Sequence, residues 1–162
     1  MYKPVRTLIL ILLIIPNFSA AEESSKMDAP IDQRSFRLGS FSSFAEMVSV
    51  DVKSLALSAA LSPDEMDALV EEAAQIAGTQ GVMIYREPDL IVTDLFPADV
   101  ALEKHVLLIY KGNILDRYLA LKQEKTILMN SGAYEGAARK DIARQFGKLL
   151  SYPDAIIEEK IK

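Results

Sequence analysis

The sequence predicts an α+β fold, a small three-stranded, largely antiparallel sheet packed against four to five helices. Three observations predict it. The middle of the chain carries short β-prone runs at residues 82–85, 90–95 and 106–110. Apolar residues before and after that stretch recur every three or four positions, the spacing of one helix face. Glycine, proline, asparagine and aspartate mark the places where one texture gives way to the other.

Residues 1–21 have the order of a removable export signal. Lys3 and Arg6 precede an unbroken apolar run at residues 8–15, Pro16 ends it, and Ser19, Ala20 and Ala21 offer small side chains for cleavage before Glu22. An eight-residue run is short against the ~20 apolar residues that a spanning helix needs. Residues 22–34 are polar and interrupted by Pro30, and are expected to form a flexible leader. Residues 35–162 then form a single domain of ordinary size. Order is expected to begin near Phe36, because three of the six phenylalanines (Phe36, Phe41 and Phe44) fall within nine residues.

Ser43 and Glu46 have capping-box spacing, which predicts a helix starting there and carrying Phe44, Val48, Val52, Leu55 and Ala59 on one face, although Val48, Val50 and Val52 also alternate as a strand would. Ser62, Pro63, Asp64 and Glu65 predict a second start: a hydroxyl cap, a proline at the first helical position, and two acids facing the positive end of the helix dipole. Met66, Leu69, Val70, Ala73, Ala74 and Ala77 form its stripe, and Gly78 stops it. Residues 82–85 and 90–95 read as a hairpin around Arg86, Glu87, Pro88 and Asp89. A short helical turn near residues 98–104 follows, and then residues 106–110, continuous and apolar, read as a central strand covered on both faces. Helical spacing resumes at Asn113, breaks at Asn130, Ser131 and Gly132, and resumes again through Tyr134, Ala138, Ile142, Phe146 and Leu149. The stretch from Gly147 to Pro153 reads as a junction to a last helix containing Ile156, Ile157 and Ile161.

Composition excludes several function classes. With no cysteine, the chain forms no disulfide and no thiolate metal site, and it lacks the cysteine used for bacterial lipid attachment. A cysteine-free exported domain points to a Gram-negative periplasm. The net charge of −5 becomes −7 once Lys3 and Arg6 leave with the signal, a balance that argues against a phosphate-tracking surface for nucleic acid. Nucleophile elbow, phosphate loop, dinucleotide fingerprint and paired-histidine metal motif are all missing.

A few residues remain as candidates for chemistry. Asp94 shares a side with Leu90, Val92 and Phe96 if that side is buried, where desolvation would tune it for proton transfer; if Ile91, Thr93 and Leu95 are buried instead, it is solvated. His105, the one histidine, would serve as a general base or a metal ligand beside nearby carboxylates, with His105 or Tyr110 assisting Asp94 in acid–base work, or His105 would simply end a short helix. Tyr85, Arg86, Glu87 and Asp89 at the expected hairpin, with Arg117 on a later helix, are candidate binding residues. Tyr85 and Tyr110 equally suit a core with a polar tip, and Arg117, Lys122 and Lys125, interleaved with Asp116 and Glu124, suit a solvated helix face. One histidine without cysteine cannot complete a zinc site, and weak binding of an oxygen-loving cation would need Glu87, Asp89, Asp94 or Asp99 to converge. No bound metal or cofactor is expected. The pattern favours a periplasmic binding or accessory module, with a protein or small molecule as partner and neither nucleic acid nor membrane once the signal is gone. A carboxylate-dependent hydrolase or lyase using Asp94 with His105 is the alternative.

Overall fold

The computed structural model describes residues 31–161, so the expected signal and most of the expected leader lie outside the described residues. In chain order the elements are α1 (Gln33–Ser49), β1 (Leu55–Leu57), α2 (Pro63–Thr79), β2 (Met83–Glu87), a 3₁₀ turn (Ala98–Val100), β3 (Val106–Tyr110), α3 (Ile114–Asn130), α4 (Gly136–Leu149) and α5 (Asp154–Lys160). The α+β class holds, with the sheet in the order β1-β3-β2 and both pairings antiparallel.

Strand β3 is buried at all five positions, as its continuous apolar run requires of a strand with both faces covered. Alternation sends Leu107 and Ile109 to one face, where they meet Phe41, Ala45 and Val48 of α1 and Met66, Leu69 and Ala73 of α2. Val106, Leu108 and Tyr110 face the other way, onto Tyr118 and Leu121 of α3 and Ile142, Phe146 and Leu149 of α4. Helix α5 then covers α4 through Ile157, which clusters with Ala143, Leu95 and Ile161.

Helix α2 begins as its sequence predicts. Ser62 Oγ accepts from the amide of Glu65, and Glu65 Oε2 accepts from the amide of Ser62 at 3.1 Å, so two amides without helical partners are satisfied reciprocally. Helix α1 departs from expectation. It starts at Gln33, where Asp32 caps the amide of Arg34 at 3.1 Å, so the expected leader gives its last residues to a helix and Phe36 lies exposed on that helix. Ser43 is mid-helix, its hydroxyl donating to the Gly39 carbonyl at 3.1 Å, a bond that a helix interior offers to serine in place of capping. The helix ends at Ser49, Asp51 takes a positive φ of 61°, and Leu55 is in β1 rather than on a helical face.

The expected hairpin is also corrected. Strand β2 extends through Arg86 and Glu87 and pairs with β3, placing Met83 opposite Tyr110 and Glu87 opposite Val106. Residues 90–95 are not a strand. Packing takes up their apolar side chains: Leu90, Ile91, Thr93 and Leu95 are buried, while Val92 is exposed. Pro88 brings no amide donor, and five of the amides that follow it find side chains or a tight turn instead of a partner strand. Asp89 donates to Glu87 Oε1 at 2.9 Å, Ile91 to the Tyr118 hydroxyl at 3.2 Å and Leu95 to Thr93 Oγ1 at 3.2 Å. Thr93 and Phe96 exchange backbone bonds at 3.0 and 3.1 Å. His105 ends no helix; it forms an antiparallel bridge with Leu61 just before β3.

Gly147 sits where α4, α5 and the loop after β2 meet. A Cβ there would lie 2.8 Å from Ile157 Cδ1, Ile157 Cγ1 and Leu95 Cδ1. Gly147→Ala should therefore overpack the junction and lower unfolding stability by about 1–3 kcal/mol. Gly39→Ala, on the open face of α1 with nothing within 4 Å, should raise it by about 0.5–1 kcal/mol. Urea denaturation of the two variants checks both signs.

Candidate functional site

In β2 the side chains of Tyr85 and Glu87 alternate onto the face that α3 covers. Tyr85 packs into that core, and Glu87, two residues on, is carried into it with 2 % of its surface exposed. Lys122 of α3 answers the buried charge: its Nζ lies 3.0 Å from Glu87 Oε1 and also donates to the Asp89 carbonyl. The Asp89 carboxylate, mostly in solvent, stands 3.3 Å from the same ammonium. Tyr118, fully buried, accepts from the Ile91 amide and stands beside the Glu87 carboxylate. Burial first, and then the neighbouring carboxylates, push its hydroxyl well above the ordinary tyrosine range, against the opposing effect of the Ile91 amide. These contacts staple the start of the loop at residues 88–105 onto α3.

Pinned in this way, the loop forms one wall of a cleft of about 510 Å³, and α3, α4 and their connection form the other. Val92 and Asp94 line the loop side; Lys125, Met129, Tyr134 and Arg139 line the helical side. Two smaller depressions, of about 240 and 80 Å³, share Val92 with it. Arg139 Nε donates to Asp94 Oδ1 at 2.9 Å, and Arg139 Nη2 donates to the same oxygen. The Asp94 carboxylate raises the already high pKa of that guanidinium. Lys125 Nζ lies 5.3 Å from the centre of the Tyr134 ring, within cation–π range. Burial lowers the Lys125 pKa, and burial followed by the Asp94 charge raises that of Tyr134.

Of the residues singled out in the sequence, Asp94 is in this cleft, three-quarters or more covered and held by Arg139. Ile91, Thr93 and Leu95 are buried, but so is Leu90 from the side that carries Asp94, and Phe96 packs on the core, so neither alternation holds throughout and Asp94 is paired rather than free in solvent. His105 lies elsewhere: its Nδ1 accepts from Arg86 Nε at 2.8 Å, which places any single ring proton on Nε2. Arg86 also pairs with Asp67 and donates to the Pro63 carbonyl at 3.1 Å, tying β2 to the start of α2. Tyr110 is buried at the end of β3, and Tyr85 is within β2 opposite Leu108. Neither tyrosine, nor His105, lines the cleft. Arg117 lines a different groove, of about 300 Å³, with Lys148 and Leu149. Glu87, expected at an exposed tip, is instead buried, and of that group only Asp89 is in solvent.

Tyr134 and Arg139 were not legible as site residues, since each sits on an ordinary helical pattern and meets Asp94 only through the fold. Among the described residues no group of three or more histidines or acids is placed to hold a metal ion, and no helix is long and apolar enough to cross a membrane. No protein-family model, curated protein or solved structure matches the chain, and the chemistry of the cleft stands on its own geometry.

Two outcomes follow for the staple. Lys122→Met should cost about 3 kcal/mol in urea unfolding, because it leaves Glu87 charged and buried; adding Glu87→Met should recover part of that loss. Tyr118 keeps its proton in the fold to a higher pH than in the unfolded chain, whose tyrosines titrate near 10.0. Its contribution is therefore complete below that pH and is lost as pH rises beyond it. Denaturation midpoints measured between about pH 9 and pH 11 should fall, and less steeply in Tyr118→Phe.

Proposed function

We propose that this protein is an exported, periplasmic binding module that holds a small ligand in the Asp94–Tyr134 cleft without transforming it. The observation that carries the binding reading is the composition of that cleft. Its volume of about 510 Å³ falls in the range of small-molecule sites, and exposed apolar groups on Val92 and Met129 adjoin fixed charges on Lys125, Asp94 and Arg139. The walls are preorganised. The loop is stapled by Glu87 and Lys122, and Asp94 is locked by Arg139, so a ligand meets a shaped surface and orders little on arrival.

Binding is favoured over catalysis because the candidate base and its expected assistant have separate partners. Asp94 Oδ1 accepts from Arg139, while His105 Nδ1 accepts from Arg86 beside α2. General acid–base chemistry needs such groups within reach of one substrate atom. Export is supported by the charged, apolar and small-residue order of residues 1–21.

The protein isolated from a periplasmic fraction should begin at Glu22. Added to it, a panel of small acids, amines, alcohols and aromatic compounds should include members that shift the methyl resonances of Val92 and Met129 while leaving Leu119, outside the cleft, unmoved. An N-terminus at Met1 would end the export reading. A panel in which nothing moves Val92 or Met129 would end the binding one.

A further inference from the structure

The charges of the cleft are unequally matched, and this selects among ligands if, as proposed above, the cleft is a binding site. Two cations and one acid line it: Lys125, Arg139 and Asp94. Arg139 already has its counter-charge, with Nε and Nη2 both on Asp94 Oδ1. Lys122, one turn earlier on α3, is matched by Glu87 at 3.0 Å and Asp89 at 3.3 Å. Lys125 enters none of the ion pairs among the described residues: the nearby Asp89 carboxylate acts on it through space but pairs with Lys122, and the Lys125 ammonium lies 5.3 Å from the centre of the Tyr134 ring.

A half-buried ammonium against a ring face has surrendered part of its hydration, and the ring quadrupole returns only a fraction of it. A single negative charge seated beside Lys125 would complete the pairing, strengthened by the low dielectric of the partly covered cleft. A cationic group would instead meet two positive side chains and one acid that is already engaged. The polar end of the ligand is thereby assigned a sign.

Its other end is assigned by the apolar surface. Val92 is 38 % exposed and Met129 56 % exposed, both lining the cleft with Lys125 and neither covered by another of the described elements. Methionine is unbranched and polarisable, suited to following a flexible chain. Each methylene removed from water along that surface contributes to affinity through the hydrophobic effect.

We infer that the cleft takes a small monocarboxylate with an apolar chain, the carboxylate on Lys125 and the chain along Val92 and Met129. Octanoate, 1-octanol and octylamine share a chain and differ in the charge of the head, so they separate the two parts of the assignment. Titrated into the full exported protein and followed at the Val92 and Met129 methyls, octanoate should bind at least about tenfold more tightly than 1-octanol, and octylamine more weakly still. Lys125→Met should remove the advantage of octanoate over 1-octanol, and Lys125→Arg should keep it. A peptide ending in an apolar residue with a free carboxylate, set against its amidated form, tests whether the same chemistry is presented by a peptide end.

Equal or tighter binding of octylamine or 1-octanol would overturn the carboxylate assignment while leaving the cleft a ligand site. An octanoate preference that survives Lys125→Met would overturn the role of Lys125. If none of the three probes moves the two methyls, although other members of the wider panel do, the aliphatic monocarboxylate is the wrong class.

Discussion

Burial of β3 on both faces is the constraint from which the remaining architecture follows. A strand without a polar face must be covered twice, and each layer of helices has to supply its own apolar stripe to do so. Helices α1 and α2 cover Leu107 and Ile109, while α3 and α4 cover Leu108 and Tyr110. The two outer strands each pair with β3, and the chain leaves β2 at Glu87 and re-enters β3 at Val106 directly opposite, so residues 88–105 form an excursion longer than the antiparallel pairing itself requires. That journey passes over the α3 and α4 face, and the cleft lies along it.

A long connection laid on a protein surface must satisfy its own backbone. Here it does so through Glu87, Thr93 and Tyr118, and the outcome is a loop with buried Ile91 and Leu95 and an exposed Val92. The cost is a buried carboxylate at Glu87. Lys122 offsets that cost from 35 residues away, and the same ammonium holds the Asp89 carbonyl. A structural ion pair and one wall of the cleft are in this way one arrangement, because the ammonium that pairs with Glu87 also holds the start of the loop that carries Asp94.

Some of this could be read directly. The capping box at Ser62 and Glu65, the buried run at residues 106–110 and the breaks near Gly132 and Pro153 are local signals, and the structure carries all of them. The hairpin failed because residues 82–85 and 90–95 both have strand-like patterns, and pattern alone does not name a partner: β3, which begins at Val106, pairs with β2 instead. The helix start at Ser43 failed because a serine that suits a cap also tolerates a helix interior by bonding back to Gly39. Asp94 could be picked out as an acid of uncertain face; its pairing with Arg139 spans 45 residues and left no local mark.

What the sequence determined by itself was therefore set by neighbours along the chain: helix periods, caps, the doubly apolar strand, the absence of cysteine chemistry and the order of residues 1–21. The tertiary structure alone decided which strand paired with which, that Glu87 would be buried and that Lys125, Tyr134 and Arg139 would gather opposite Asp94. The physical reason is range. Caps and periodicity act over one or two turns of chain, whereas pairing, desolvation and charge matching depend on groups that become neighbours only after the helices have closed over β3.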